Sequence, residues 1–78
     1  MTANRLAWIL NVPVIERQAR LRELRVAALF LLGPKHAASL AISAAIDDPG
    51  LAGEALTAVD ALPALQRRRV LAVIGAVL

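Results

Sequence analysis

The chain has 78 residues, nine Lys and Arg against six Asp and Glu, no cysteine, and 46 apolar residues of which 31 are Ala or Leu. At 8.3 kDa it is expected to be a single small helical domain over residues 1–78, and offsetting roughly 1.5 kcal/mol of ordering entropy per residue is hard at this size without a staple. Disulfides are excluded, and one His without Cys cannot ligate a structural zinc, so no metal or other cofactor is expected. Self-association becomes a leading means of stabilisation, and the apolar content argues against intrinsic disorder.

Along the chain, the punctuation predicts four or five short helices. Thr2 can cap a first turn running to about Leu10, where Asn11 and Pro13 break the apolar run that follows Arg5. That break makes Leu6 to Leu10 a poor signal peptide. Pro13 suits the first turn of the next helix, with Asn11 or Val12 at its cap. From Val14 to Leu32 the apolar set Val14, Leu21, Leu24, Ala28 and Leu31 keeps helical spacing, and Gly33-Pro34 stops it. The first half of this longest helix carries Glu16, Arg17, Arg20, Arg22, Glu23 and Arg25 and should be wet. The second half, Val26 to Leu32, is apolar on all sides and is expected to be buried, with Phe30 at the centre of a cluster with Leu24, Leu29, Leu31 and Leu32.

A third helix is predicted from Lys35 to Ile46. Asp48 then caps and Pro49 opens a fourth, in which Leu51, Ala55, Val59 and Leu62 share a face. Pro63 separates it from a last helix reaching Val77, with Leu65, Ala72, Val73 and Ala76 near one side. β-Branched residues are sparse and alternation is absent, so no strand competes. The expected fold is all-α, a compact bundle or αα-hairpin array. Its alanine-rich helices can approach closely, but each alanine buries little area and Trp8 and Phe30 are the large aromatic anchors, so the core should be thin. The longest apolar runs are seven and nine residues against the roughly 20 needed to span a bilayer. No transmembrane segment is expected, and with no signal peptide read, the expected compartment is the cytoplasm.

Charge alternates by segment. Residues 1–35 hold six basic and two acidic groups, residues 36–62 hold Asp47, Asp48, Glu54 and Asp60 without Lys or Arg, and residues 63–78 hold Arg67, Arg68 and Arg69. The plainest reading is intramolecular: acidic groups near the start of the fourth helix favour its dipole, and arginines pair with these acids as the opposed segments attract on folding; the sharper one is complementarity between copies or with a partner. Catalysis finds little support. His36, Ser39, Ser43 and Asp47 would form one polar stripe on the third helix, but parallel side chains on a straight helix do not converge on a substrate, and a solvated edge is the expected role. The glycines match no phosphate-binding loop. The chain is therefore expected not to be an enzyme.

Nucleic-acid binding would use Arg17, Arg20, Arg22 and Arg25 on one helix and Arg67, Arg68 and Arg69 on another. The helix after Gly33-Pro34 lacks the polar residues of a base reader, and stacking aromatics are few. Membrane-active bacteriocins are similar in composition, although here acids interleave with the bases and prolines cut the helices short. Val26 to Gly33, followed by Ala37, Ala38 and Leu40, the turn at Asp47-Asp48-Pro49 and the terminal Val70 to Ile74, resembles the N-terminal helical domain of the flagellar motor switch protein FliG. That resemblance implies a docking module that binds a helical segment of a neighbouring assembly component.

The function expected from these residues is protein–protein association, as a homo-oligomer or an accessory subunit of a larger complex. A protein partner, self or heteromeric, is expected ahead of a nucleic acid. The candidate interaction residues are Trp8, Arg17, Arg20, Arg22, Arg25, Phe30, Arg67, Arg68 and Arg69.

Overall fold

The computed structural model describes residues 7–73. Among them the chain forms a 3-10 turn at Ala7–Asn11, helix α1 at Val14–Leu31, α2 at Ala37–Asp47, a second 3-10 turn at Pro49–Leu51, α3 at Ala52–Asp60 and α4 at Ala64–Ala72. The fold is all-α, and no strand occurs among the described residues. The expected Thr2 cap, and the last helix beyond Val73 with Ala76 and Val77, lie outside them.

Each helix boundary has a local cause. Pro13 stands just before α1 rather than inside its first turn, with φ −54° and ψ 150°. Its extended ψ turns the chain, and its carbonyl accepts from the Arg17 N–H at 2.9 Å, so neither Asn11 nor Val12 is the cap. Pro63 repeats this before α4, with φ −53°, ψ 146° and its carbonyl 2.9 Å from the Arg67 N–H. Helix α1 closes where Leu32 and Gly33 both donate to the Ala28 carbonyl, and Gly33 takes φ +92°, a conformation that disfavours a side chain. Helix α2 begins two residues later than the expected Lys35, because His36 holds the cap position and its Nδ1 accepts from the Ala38 N–H at 3.1 Å. Asp48 caps the Pro49 turn as expected, its Oδ1 accepting from the Gly50 N–H at 3.0 Å. The expected fourth helix is thus a 3-10 turn running into α3.

Helix α2 packs between α1 and α3, α4 returns against α1, and the first 3-10 turn touches both α3 and α1. The large side chains sealed in this core are Ile9, Leu21, Leu24, Ile42, Leu56, Val59, Val70 and Leu71. Six of the fifteen core residues are alanine, which lets the helices close on one another but limits the apolar area each contact buries.

The core corrects three expectations. Phe30 is not at its centre but is 87% exposed, and Val26, Leu29 and Leu31 are exposed with it. The second half of α1 buries only the face of Ala27 and Ala28, since α2 and α4 occupy one side of the helix and nothing among the described residues covers the other. On α4 the inward face is Val70 and Leu71, whereas Leu65, Ala72 and Val73 face out. Ser39 is not on a solvated edge: it is buried in α2, and its Oγ has no hydrogen-bond partner among the described residues.

Candidate docking surface

Helix α1 has two faces. One carries Gln18, Leu21, Leu24, Ala27 and Ala28 into the core. Gln18 does more than fill space: its Nε2 donates to the carbonyls of Ala45 and Ile46 at 3.2 and 2.7 Å. These belong to the last turn of α2, where helix geometry leaves carbonyls without N–H partners. The Gln18 amide spends both donors there, and its Oε1 has no partner.

At about 100° per residue, Ile15, Ala19, Arg22, Val26, Leu29 and Phe30 fall within about 100° of arc on the opposite face. Ile15 is 86% exposed and Val26 65%, Arg22 is exposed, and Ala19 is half-buried. The result is an apolar stripe running from one end of α1 to the other, with a single arginine near its middle.

The arginines expected to share a surface have separate roles. Half-buried Arg17 reaches back from α1, its Nη2 donating to the Leu10 carbonyl of the first 3-10 turn at 3.1 Å. Arg67 does the same across the Pro63 corner, its Nη1 donating to the carbonyls of Asp60 and Leu62 at 3.3 and 3.4 Å. Arg20 pairs with Glu23 one turn on, Nη2 to Oε1 at 2.9 Å. Arg22, Arg25, Arg68 and Arg69 have neither carboxylate nor carbonyl partners among the described residues, and all but half-buried Arg25 are exposed.

Among the described residues, the expected pairing of arginines with the middle-segment acids is not found at Asp47, Asp48 or Glu54. Arg67 bonds the backbone carbonyl of Asp60. A guanidinium beside a helix end finds carbonyl oxygens already fixed in place, whereas exposed carboxylates would have to be ordered to reach it.

Of the expected interaction residues, Phe30 and Arg22 share the outer face of α1, Arg17 and Arg67 serve the corners, and the side chain of Trp8 lies outside the described residues. Ile15, Val26 and Leu29 were not among the expected residues. Their spacing was available in the sequence, but an apolar residue at helical spacing reads first as core. No group of three or more His, Cys, Asp or Glu able to hold a metal occurs among the described residues. None of their helices is long and apolar enough to cross a membrane.

No family model, no curated protein and no solved structure matches this chain, the flagellar switch domain included. The functional reading accordingly rests on the molecule's own surface.

Proposed function

We propose that the chain is a non-enzymatic protein–protein association module, a homo-oligomer or an accessory subunit of a larger complex, and that the outer face of α1 is its contact surface. A cytoplasmic setting is part of the same proposal. The observation that carries it is the alignment of Ile15, Val26 and Phe30, each more than half exposed, on one side of one helix. Isolated exposed apolar residues are ordinary, but contiguous patches mark interaction surfaces. Burying three such side chains yields about 1.5 to 3 kcal/mol each, against an association cost of about 4 to 15 kcal/mol. A stable contact therefore has to engage the whole stripe rather than one end of it.

A nucleic acid is the competing partner. It would be left with Arg22, Arg25, Arg68 and Arg69, because Arg17, Arg20 and Arg67 have partners inside the fold.

The test places a photoreactive phenylalanine analogue at position 30 in cells and follows the purified protein by sedimentation equilibrium. The expected result is one discrete crosslinked adduct that disappears with Ile15→Asp, sedimentation telling a second copy from another protein. An 8.3 kDa monomer at high micromolar concentration that yields no discrete adduct would overturn the reading.

A further inference from the structure

We infer that the outer face of α1 receives a single amphipathic helix of another protein, with a carboxylate at the level of Arg22, and not a second copy of α1; this rests on the association reading above. Ile15, Ala19, Arg22, Val26 and Leu29 follow one another at intervals of four, three, four and three. That is the 3.5-residue period at which one helix lies along another. The seam from Ile15 to Leu29 is about 21 Å long at 1.5 Å per residue, so a partner helix of about four turns covers it. Phe30 flanks its far end.

The charge along the seam selects the occupant. Arg22 sits at the midpoint, exposed and without a partner among the described residues, and the neighbouring Glu23 is held by Arg20 at 2.9 Å. Two copies meeting through the same face are related by a two-fold axis. A parallel pair sets Arg22 level with Arg22 of the other copy. An antiparallel pair that matches Ile15 to Leu29 sets Arg22 opposite itself again. Either arrangement brings two guanidiniums together in a seam that is losing its water, where unpaired charge is most costly. Sliding the register to separate them uncovers Ile15 at one end and Phe30 at the other.

The acidic corner of a second copy is no better. Asp47, Asp48 and Glu54 are exposed around the short Pro49–Leu51 turn, where Gly50 and Gly53 carry no side chain and Leu51 is half-buried, so this corner presents no row of apolar side chains at the spacing of the stripe. A foreign helix with apolar residues at the seam spacing and Glu or Asp in the middle satisfies both requirements, because a carboxylate takes the planar guanidinium in a two-point bond.

The test uses synthetic amphipathic helices of about 18 residues with leucine at the seam positions and Glu, Lys or Leu at the centre, titrated into the full-length protein by fluorescence anisotropy. The Glu peptide should bind at least about tenfold more tightly than the Lys peptide. Arg22→Glu should reverse that order, and Phe30→Asp should weaken both. Both positions are exposed, so unchanged thermal melts establish that the variants fold. Equal affinity for the Glu and Lys peptides, or no binding of either, overturns the inference. A mass that doubles with concentration and returns to monomer with Phe30→Asp keeps the association reading while overturning the foreign helix. Binding to anionic phospholipid vesicles without binding to any peptide overturns both readings.

Discussion

Leu24 and Phe30 lie six positions apart on α1, and the fold treats them oppositely: Leu24 is sealed in the core, while Phe30 is 87% exposed. Side-chain size alone favours burying Phe30, but direction around the helix decides. The wheel that selects Leu21, Leu24 and Ala28 places Phe30 about 160° from Ala28. This was legible in the first half of the helix, where charged residues mark the wet side, and hidden in the second, where Val26 to Leu32 offers no polar residue to orient it. Leu24→Ala should therefore cost about 2 to 5 kcal/mol, whereas Phe30→Ala should change stability by less than about 0.5 kcal/mol. Denaturant melts of the two variants check this, and a large loss at Phe30 would contradict its exposure.

Gln18 is a second case of a residue whose role the sequence did not show, because its partners are 27 and 28 positions away. Gln18→Ala leaves two carbonyls of α2 without donors and should cost about 2 to 4 kcal/mol. Gln18→Glu adds a pH signature. A carboxylate facing two carbonyls and the core is disfavoured, while the protonated acid can still donate, so the folded-state pKa is raised above the unfolded value of about 4.3. The variant's stability is then fullest below that unfolded value and is lost as pH rises through the raised one. Melts of Gln18→Glu in acid and at neutral pH, compared with the unsubstituted chain, measure the difference.

Between helices, two corners share one construction. Ile9, Leu10, Pro13, Arg17 and Leu21 correspond to Val59, Asp60, Pro63, Arg67 and Leu71, each fifty positions on. In both, an apolar residue is buried before the proline, the proline ends the incoming element, the arginine four residues later reaches back to the carbonyl three residues before the proline, and a leucine four residues beyond is buried. The proline positions were readable as breaks. The arginines were not readable as caps, since four arginines within nine residues read more readily as a charged surface. Arg67→Ala should cost about 1 to 3 kcal/mol by leaving the end of α3 without its donor. Arg67→Lys should recover only part of that, because an ammonium is a point donor where the guanidinium is a fork. Equal melts for all three proteins would remove the corner from the account of stability.

For the molecule as a whole, helix order and number were readable from Pro, Gly and Asp punctuation. The packing partners and the outward face of α1 were not, because they depend on which helices meet. Of the charge pattern, the expected dipole effect at the start of the fourth predicted helix is the part the fold displays, through Glu54 in the first turn of α3. With no ion pair to a described residue, Asp47 and Glu54 act only through their own helices: Asp47 sits unfavourably at the end of α2 and Glu54 favourably in the first turn of α3. Asp47→Lys should stabilise by about 0.3 to 1 kcal/mol and Glu54→Lys should destabilise by about as much, with the double variant near neutral. A collapse of folding in the double variant would restore the charge segments as a structural element.

The amide of Gln18 is also a built-in reporter. Both its Nε2 protons are held by α2 carbonyls in the interior, whereas Gln66, the chain's other glutamine, is exposed. In deuterated solvent the side-chain NH2 of Gln66 should vanish from the spectrum at once. That of Gln18 should persist until α1 and α2 part, timing the opening of the fold at one carboxamide without any label.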